Sequence, residues 1–562
     1  MNRFAPALVC AAVLAACATP QMPSGGPPDT TPPEIIESTP APGSVNVSEP
    51  TVRITFSEYV DESSFGRALS ISPASVSPPE ISWGRRSVEI RLGEALGANT
   101  TYVVTLDTEL RDIRGAALTA PIMFAFSSGP TVSAGTLAGR VVLPDSASPA
   151  AAADVFAYTL LDSTAPDSLP DRPAYRTQTD ASGAFAFDYL TEQYYFVAAL
   201  QDQNRNLYPD AEEAFAPPPV PALFADSVAA PLEQPWVLTR VDTTHPFPVA
   251  VQSLSASRHA LRLSEPVRFV ERDPSAWQLS DSTSGAAVDV LDLYIRQEDE
   301  RLVIVETPAL EPEPHILRST ALVDTAGNPV LEQTVTFRPS TAEDTLQHRF
   351  LSFLPADLPG PDYTLARGVE PGLRFNAPID EAALGSAVAV LDSMGTPLSY
   401  AAVTGDGTNY RLMPELWPGA SNPIQVHVDD SAFAGSDSVH RATYERIPAS
   451  ETGELAGIVA RSGGAVFVQA APVDAAVAVP SFEAAADSTG AFQFDGLPAG
   501  TYRIRAFVDE DGDGAWSGGL LQPYVRPEPI AWLPEPVRVR ARWETSLPDT
   551  LQIRASDQPE TP

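Results

Sequence analysis

The chain has 562 residues, 44% of them hydrophobic, and a net charge of −37 from 72 acidic and 35 basic side chains. That length exceeds one ordinary core, so several domains are expected. Every basic side chain is arginine, and no basic face exists to neutralise phosphates, which excludes nucleic acid as a partner. The 57 prolines, about twice the usual share, suit edges, turns and linkers. Short alternating runs recur along the chain and long 3.6-residue periodicity does not, which predicts an all-β, multi-domain protein. Abundant acid without lysine suggests a GC-rich genome or a salty habitat.

The N-terminus reads MNRFAPALVCAAVLAACATP, with Arg3 as a short positive region and an apolar run ending at Ala16. That run is too short to span a bilayer as a helix. Leu14-Ala15-Ala16-Cys17 resembles a bacterial lipobox. The resemblance implies that residues 1–16 are a lipoprotein signal peptide, that cleavage precedes Cys17, and that its thiol is acylated. The alternative is an ordinary secretory signal cut nearby. Acyl chains on Cys17 would make outer-membrane lipid a partner and place the protein in that membrane. Cys10 leaves with the signal peptide, so the mature chain has neither a disulfide nor a thiol nucleophile. Residues 17–33, rich in proline, glycine and small polar residues, form a flexible tether.

From residue 34 to 130 the text is strand-like. Val52, Ile54 and Phe56 alternate with polar residues, as do Val88, Ile90 and Leu92, then Tyr102, Val104 and Leu106, then Ile122, Phe124 and Phe126. Period 2 with one apolar face marks half-buried antiparallel strands, and several at short spacing favour a β-sandwich. PAPGSVNVSEPTVRITFSEYVD (40–61) followed by LRDIRG (110–115) resembles the bacterial Ig-like domain (SbsA type) of S-layer proteins and outer-membrane lipoproteins. The pattern returns as LRLSEPV (261–267) with DTAGN (324–328), and as LRFNAPID (373–380), where the Ser-Glu pair is missing.

A second module is also repeated. DASGAFAFDYLTEQYYFVAALQD (180–202) aligns without a gap on DSTGAFQFDGLPAGTYRIRAFVD (487–509), and LAGRVV (137–142) matches LAGIVA (455–460). Such self-similarity indicates a duplicated unit. Its pattern resembles the carboxypeptidase-regulatory or collagen-adhesin B-type domain, which implies a small prealbumin-like sandwich. The expected order is Ig-like (34–130), prealbumin-like (131–240), Ig-like (241–340), Ig-like (341–448), and prealbumin-like with a C-terminal tail (449–562).

Both prealbumin-like modules carry an acidic loop. The first reads DQNRNLYPDAEE, with Asp202, Asn204, Asn206 and Asp210 at positions 1, 3, 5 and 9 and Glu213 at 12. The second reads DEDGDGAWSGGL, with Asp509, Asp511, Asp513 and Ser517 at the first four of those places, but Leu520 at 12. That is the ligand spacing of a calcium loop, although Leu207 stands where the first copy needs a glycine. Oxygen donors without histidine or cysteine favour Ca²⁺. The alternative is a solvated acidic turn. The first copy, with its acid at position 12, is expected to respond more strongly to calcium.

The six histidines show no metal-ligand spacing, and no nucleophile elbow, phosphate loop or His-Glu-x-x-His helix is present. The sequence is therefore read as non-enzymatic: a lipid-anchored structural or adhesive rod of sandwiches in the cell envelope. The alternative is a carbohydrate-binding surface lipoprotein that presents polysaccharide to an outer-membrane transporter. Envelope proteins or polysaccharide are the partners expected. Sugar binding needs exposed aromatic platforms. Trp516, inside the second acidic loop, is the tryptophan expected to be exposed, and dispersed, buried tryptophans would favour the rod.

Overall fold

The computed structural model describes residues 30–553 except 74–76, 211–212, 228–231, 233, 243, 320, 357–359, 415–422, 434–435, 461–462 and 474–479. The segments expected to be a signal peptide and a tether, with Cys17, therefore lie wholly or mostly outside the described residues. No described helix is long and apolar enough to cross a membrane. The chain divides into two compact units, one ending at Ser133 and one starting at Ala134.

The first unit is one β-sandwich. Ile35–Thr39, Thr51–Phe56, Ser87–Arg91 and Glu80–Trp83 form one sheet, and Leu69–Ser72, Thr101–Leu106 and Ile122–Ser127 the other. The residues that alternate in the sequence meet between them: Val52, Ile54, Phe56, Val88 and Ile90 face Tyr102, Val104, Leu106 and Phe126 in one core. One element breaks the period-2 pattern. Glu62–Ala68 is a helix, started by the Asp61 side chain, which accepts from the Ser63 amide. It inserts Phe65, fully buried, edge-on against Phe56 and Trp83 at 6.1 and 5.1 Å. The aromatic contact and the cap outweigh the surrounding strand propensity.

The second unit contains four further sandwiches. Two of them follow the plan of the first unit, with cores around Leu261, Trp277, Leu293 and Val303 and around Leu373, Phe375, Val426 and Tyr444. The latter carries a helix, Glu381–Ala387, behind Asp380, with Leu384 buried as Phe65 is. The segment lacking Ser-Glu thus keeps the same local architecture. The two sandwiches meet at a seam where Gln297 donates to Thr408 Oγ1 at 2.8 Å and accepts from Asn409 at 3.1 Å.

The duplicated module has one topology in both copies. In the first, Tyr175–Gln178, Asp154–Thr159 and Tyr194–Leu200 pair in order, facing a sheet of Ala184–Leu190, Gly135–Val142 and the parallel Trp236–Val237. In the second, Phe482–Ala485, Ala465–Pro472 and Gly500–Asp509 face Ala491–Pro498, Thr452–Ala460 and the parallel Glu544–Ser546. The shared Asp-x-x-Gly has a local cause. Asp180 Oδ1 accepts from the Ser182 and Ala184 amides at 2.8 and 3.0 Å; Asp487 Oδ1 accepts from Thr489 and Ala491 at 2.8 and 3.0 Å. The glycines that follow have φ of +76° and +84°, and a Cβ there would lie 2.4 and 2.1 Å from the carbonyls of Val141 and Val459. Only glycine fits such a turn.

The two copies, far apart in sequence, pack on each other. Leu521 and Tyr524, on the hairpin formed by Leu520–Leu521 and Tyr524–Val525, enter a cluster with Phe156, Tyr158, Leu169 and Phe196. Val142 and Val237 join Phe507 and Ile530 in another. Sandwiches that met only their neighbours in chain order would not do this, and the seams in the sequence give no hint of it.

Candidate metal centre

Each acidic loop follows a central strand of its module, with Asp202 standing two residues past Tyr194–Leu200. Asp509 is the last residue of Gly500–Asp509 and is 8% exposed. Its Oδ1 accepts from the Gly512 amide at 2.6 Å and its Oδ2 from Gly514 at 3.2 Å. Gly512 and Gly514 have φ of +82° and +77°, which turns the loop back over the carboxylate. Asp202 acts alike: Oδ2 accepts from the Leu207 amide at 2.9 Å. Leu207 takes φ of +63°, so a leucine occupies the left-handed position where the calcium-loop pattern calls for glycine. The Oδ1 of Asp202 is buried and, among the described residues, has no hydrogen-bond partner.

The position-12 acid is where the structure corrects the sequence reading. In the first copy Glu213, 5% exposed, accepts the Gln203 amide through Oε1 at 2.8 Å. In the second, Leu520 fills the aligned place, yet Glu528, 3% exposed, accepts the equivalent Glu510 amide through Oε1 at 2.6 Å. Its Oε2 accepts from Ser517 at 2.9 Å. The hairpin that carries Leu521 and Tyr524 lengthens this loop and displaces the glutamate along the sequence, not in space. Both copies therefore own the acid, and the expected advantage of the first copy loses its basis.

Asp509, Asp511 and Glu528 each place a carboxylate oxygen within 4.8 Å of the others. Oxygens bound to one Ca²⁺ at about 2.4 Å lie up to about 5 Å apart, so this set fits one such ion. Asp513 is not in that group; its Oδ1 caps the Ala515 amide at 2.6 Å. Burial raises the Glu528 pKa, the Asp511 charge adds to the rise, and the Ser517 and Glu510 amides oppose it. A cation would relieve the repulsion. In the first loop the two asparagines and Asp210 satisfy one another. Asn204 and Asn206 each donate an amide hydrogen to Asp210 Oδ2, at 2.5 and 2.8 Å, while their oxygens accept from the amides of Asn206 and Tyr208. Flipping both amides would turn oxygens toward Asp210, an arrangement that only a cation would stabilise.

Sequence reasoning missed a third acidic group, Asp242, Glu265 and Asp324. Its residues come from three separate segments, and only the Ser-Glu and Asp-x-x-Gly motifs of the third sandwich mark two of them. Asp324 is buried, with both oxygens taken by Asn328. Burial raises the Glu265 pKa, with repulsion from Asp242 and Asp324. Asp242 and Glu265 line a groove of about 900 Å³ together with Asp210 and Glu213 of the first loop.

The tryptophans divide clearly. Trp236 and Trp277 are buried, and Trp83 packs in the first core. Trp516, expected to be exposed, is half-buried: its ring joins the Val237 and Phe507 cluster and its Nε1 donates to the Glu528 carbonyl at 2.9 Å. It braces the loop from behind. Trp417 lies outside the described residues. Among the described tryptophans Trp543 is the exposed one, at 69%. His427 alternates with buried Val426 and Val428 and is half-buried on the outer face.

Residues 29–128 match the family model of the bacterial Ig-like domain. The first sandwich is thus Ig-like by sequence as well as by architecture, and the described residues as a whole form an all-β array of sandwiches. No curated protein matches the sequence. Among solved structures, the N-terminal part of the bacterial S-layer protein SbsC aligns at 11% identity over 36% of this chain and 44% of that one, with a TM-score of 0.17. The chain thus spans less than half of that relative's length. The S-layer protein rSbsC(31-844) aligns at 11% identity over 86% of this chain and 65% of that one, with a TM-score of 0.15. An L,D-transpeptidase from Mycobacterium smegmatis aligns at 19% identity over 27% and 74%, with a TM-score of 0.14.

Proposed function

We propose that this chain is a non-catalytic cell-envelope protein, anchored in the outer membrane by lipid on Cys17, with a structural or adhesive role. The observation that carries the reading is the array itself: five β-sandwiches, each with its own closed apolar core, the first of them matching the bacterial Ig-like domain. Such cores supply stiffness, and the packing of one duplicated module on the other restricts their relative motion. The dispersed and largely packed tryptophans support the same reading.

Calcium belongs to this proposal. Asp509, Asp511 and Glu528 would hold it in the second copy, and Asp202, Asp210 and Glu213 with the two asparagines in the first. The ion would cancel the repulsion among carboxylates and clamp each loop to its strand.

The test is genetic and biochemical. Cells lacking the protein are expected to lose envelope integrity or surface attachment. The wild-type chain should restore the phenotype, and Cys17→Ala should leave the protein in the soluble fraction and fail to restore it. Full complementation by a soluble Cys17→Ala chain would refute the anchored role.

A further inference from the structure

The exposed Trp543 lies at an open groove of about 660 Å³. Its walls come from the fourth and fifth sandwiches: Arg367 from one, and Glu454, Asp495, Arg542 and Glu544 from the other. We propose that this groove binds a segment of neutral polysaccharide, a ligand the structural role does not require.

Three observations point the same way. The first is the indole. A tryptophan that contributes to folding buries its ring, yet Trp543 is tied down only through its backbone, whose carbonyl accepts from the Glu454 amide at 3.0 Å while its amide donates to Arg540 at 3.2 Å. The residue is 69% exposed, and its ring offers solvent an apolar plate suited to the C–H face of a pyranose.

The second is the surrounding charge. Glu454 and Glu544 are register partners on parallel strands, both exposed, so two carboxylates stand side by side. Arg367 is exposed in the same groove, and among the described residues none of these three makes an ion pair. Carboxylates that only accept and guanidiniums that only donate are the complement of a sugar hydroxyl, which does both. The chain's net charge of −37 opposes the approach of an acidic polymer. This favours a neutral glycan over an anionic one.

The third is backbone conformation. Arg542 takes φ of +63°, unfavourable for arginine, and is held there by its amide on the Thr452 carbonyl at 2.7 Å and its Nε on the Ser450 carbonyl at 3.2 Å. The turn presents Trp543 outward. The groove's size falls within the usual range for small-ligand sites, enough for a short oligosaccharide.

The full mature chain should be titrated by calorimetry and tryptophan fluorescence with cellohexaose, laminarihexaose, mannohexaose and dextran, and with hexagalacturonate as the acidic probe. At least one neutral probe is expected to bind and shift the emission, with hexagalacturonate weaker. Trp543→Ala should weaken that binding about tenfold or more, and Trp543→Phe should restore part of it. Glu454→Gln, on an exposed side chain, should weaken binding severalfold with unchanged unfolding, which separates the site from the fold. Failure of every neutral probe, preference for the acidic one, or equal binding by Trp543→Ala would overturn the proposal. The envelope role has its own test in Cys17→Ala, so the two can fail independently.

Discussion

The contact between the two copies of the duplicated module can be tested at a single side chain. Leu521 is 4% exposed and is the fully buried residue that the second copy contributes to a cluster with Phe156, Tyr158, Phe196 and Leu200 of the first. Its hairpin is also held by Gln522 Oε1, which accepts from the Leu169 amide and from Tyr208 Oη, each at 3.0 Å. Tyr524 Oη donates to the Pro218 carbonyl at 3.0 Å, and its ring stands edge-on to Phe196 at 5.5 Å. Leu521→Ala removes a buried side chain and leaves a cavity that this polar frame prevents from collapsing, so the cost should be about 3 kcal/mol, within the usual range for such truncations. At 1.4 kcal/mol per decade this raises the population of the undocked hairpin about a hundredfold. Limited proteolysis across residues 519–526 reads that population directly when opening and reclosing outpace cleavage. Val525→Ala is the control, on the same hairpin but 45% exposed, and should change the rate by less than about threefold, as surface substitutions do. Equal cleavage rates for Leu521→Ala and Val525→Ala would mean that the copies are not docked in solution.

Further outcomes are expected. Millimolar calcium should raise the melting temperature moderately, more than magnesium or matched ionic strength, and Asp509→Ala or Glu528→Gln should remove the response of the second copy; equal effects of all three salts would leave only charge screening. Burial holds the His259 pKa down to about 4, from an ordinary value near 6.5. The unfolded chain then binds the proton first, so the third sandwich should be stable above pH about 6.5 and lose stability as pH falls toward about 4. Urea unfolding at several pH values should show a shallower slope in His259→Leu; an unchanged slope would exclude His259 as the cause. Gly490→Ala should destabilise the second copy by more than about 1 kcal/mol, because its Cβ would meet the Val459 carbonyl at 2.1 Å at a φ of +84°; a neutral result in thermal unfolding would refute the turn assignment.

Much of the fold is legible in the sequence because strands report their own burial. Val52, Ile54 and Phe56 alternate since successive side chains point to opposite faces, and the structure buries all three. The Asp-x-x-Gly turns are equally local: carboxylate, amides and glycine lie within five residues of one another. The duplication was visible because both copies kept this local chemistry at constant spacing. The helix Glu62–Ala68 is not legible, because seven residues are too few to show a 3.6-residue period, and Phe65 is held by Phe56 and Trp83 from other segments.

The acidic loops show where locality ends. Asp202 and Asp509 could be named from spacing alone, since each follows a strand that the alternating pattern reveals. Glu528 could not, because an inserted hairpin carries it away from the aligned position and only the folded loop returns it to the Glu510 amide. Trp516 and Trp543 carry no local mark that tells a brace from a bare platform; the Val237 and Phe507 cluster covers one, and nothing described covers the ring of the other. The sequence by itself determined the strands, the turns and the first aspartate of each loop, because those depend on neighbours along the chain. The packing of one copy on the other, the completion of the carboxylate group and the groove at Trp543 were decided by tertiary structure, because each depends on contacts between segments whose separation leaves no periodic trace.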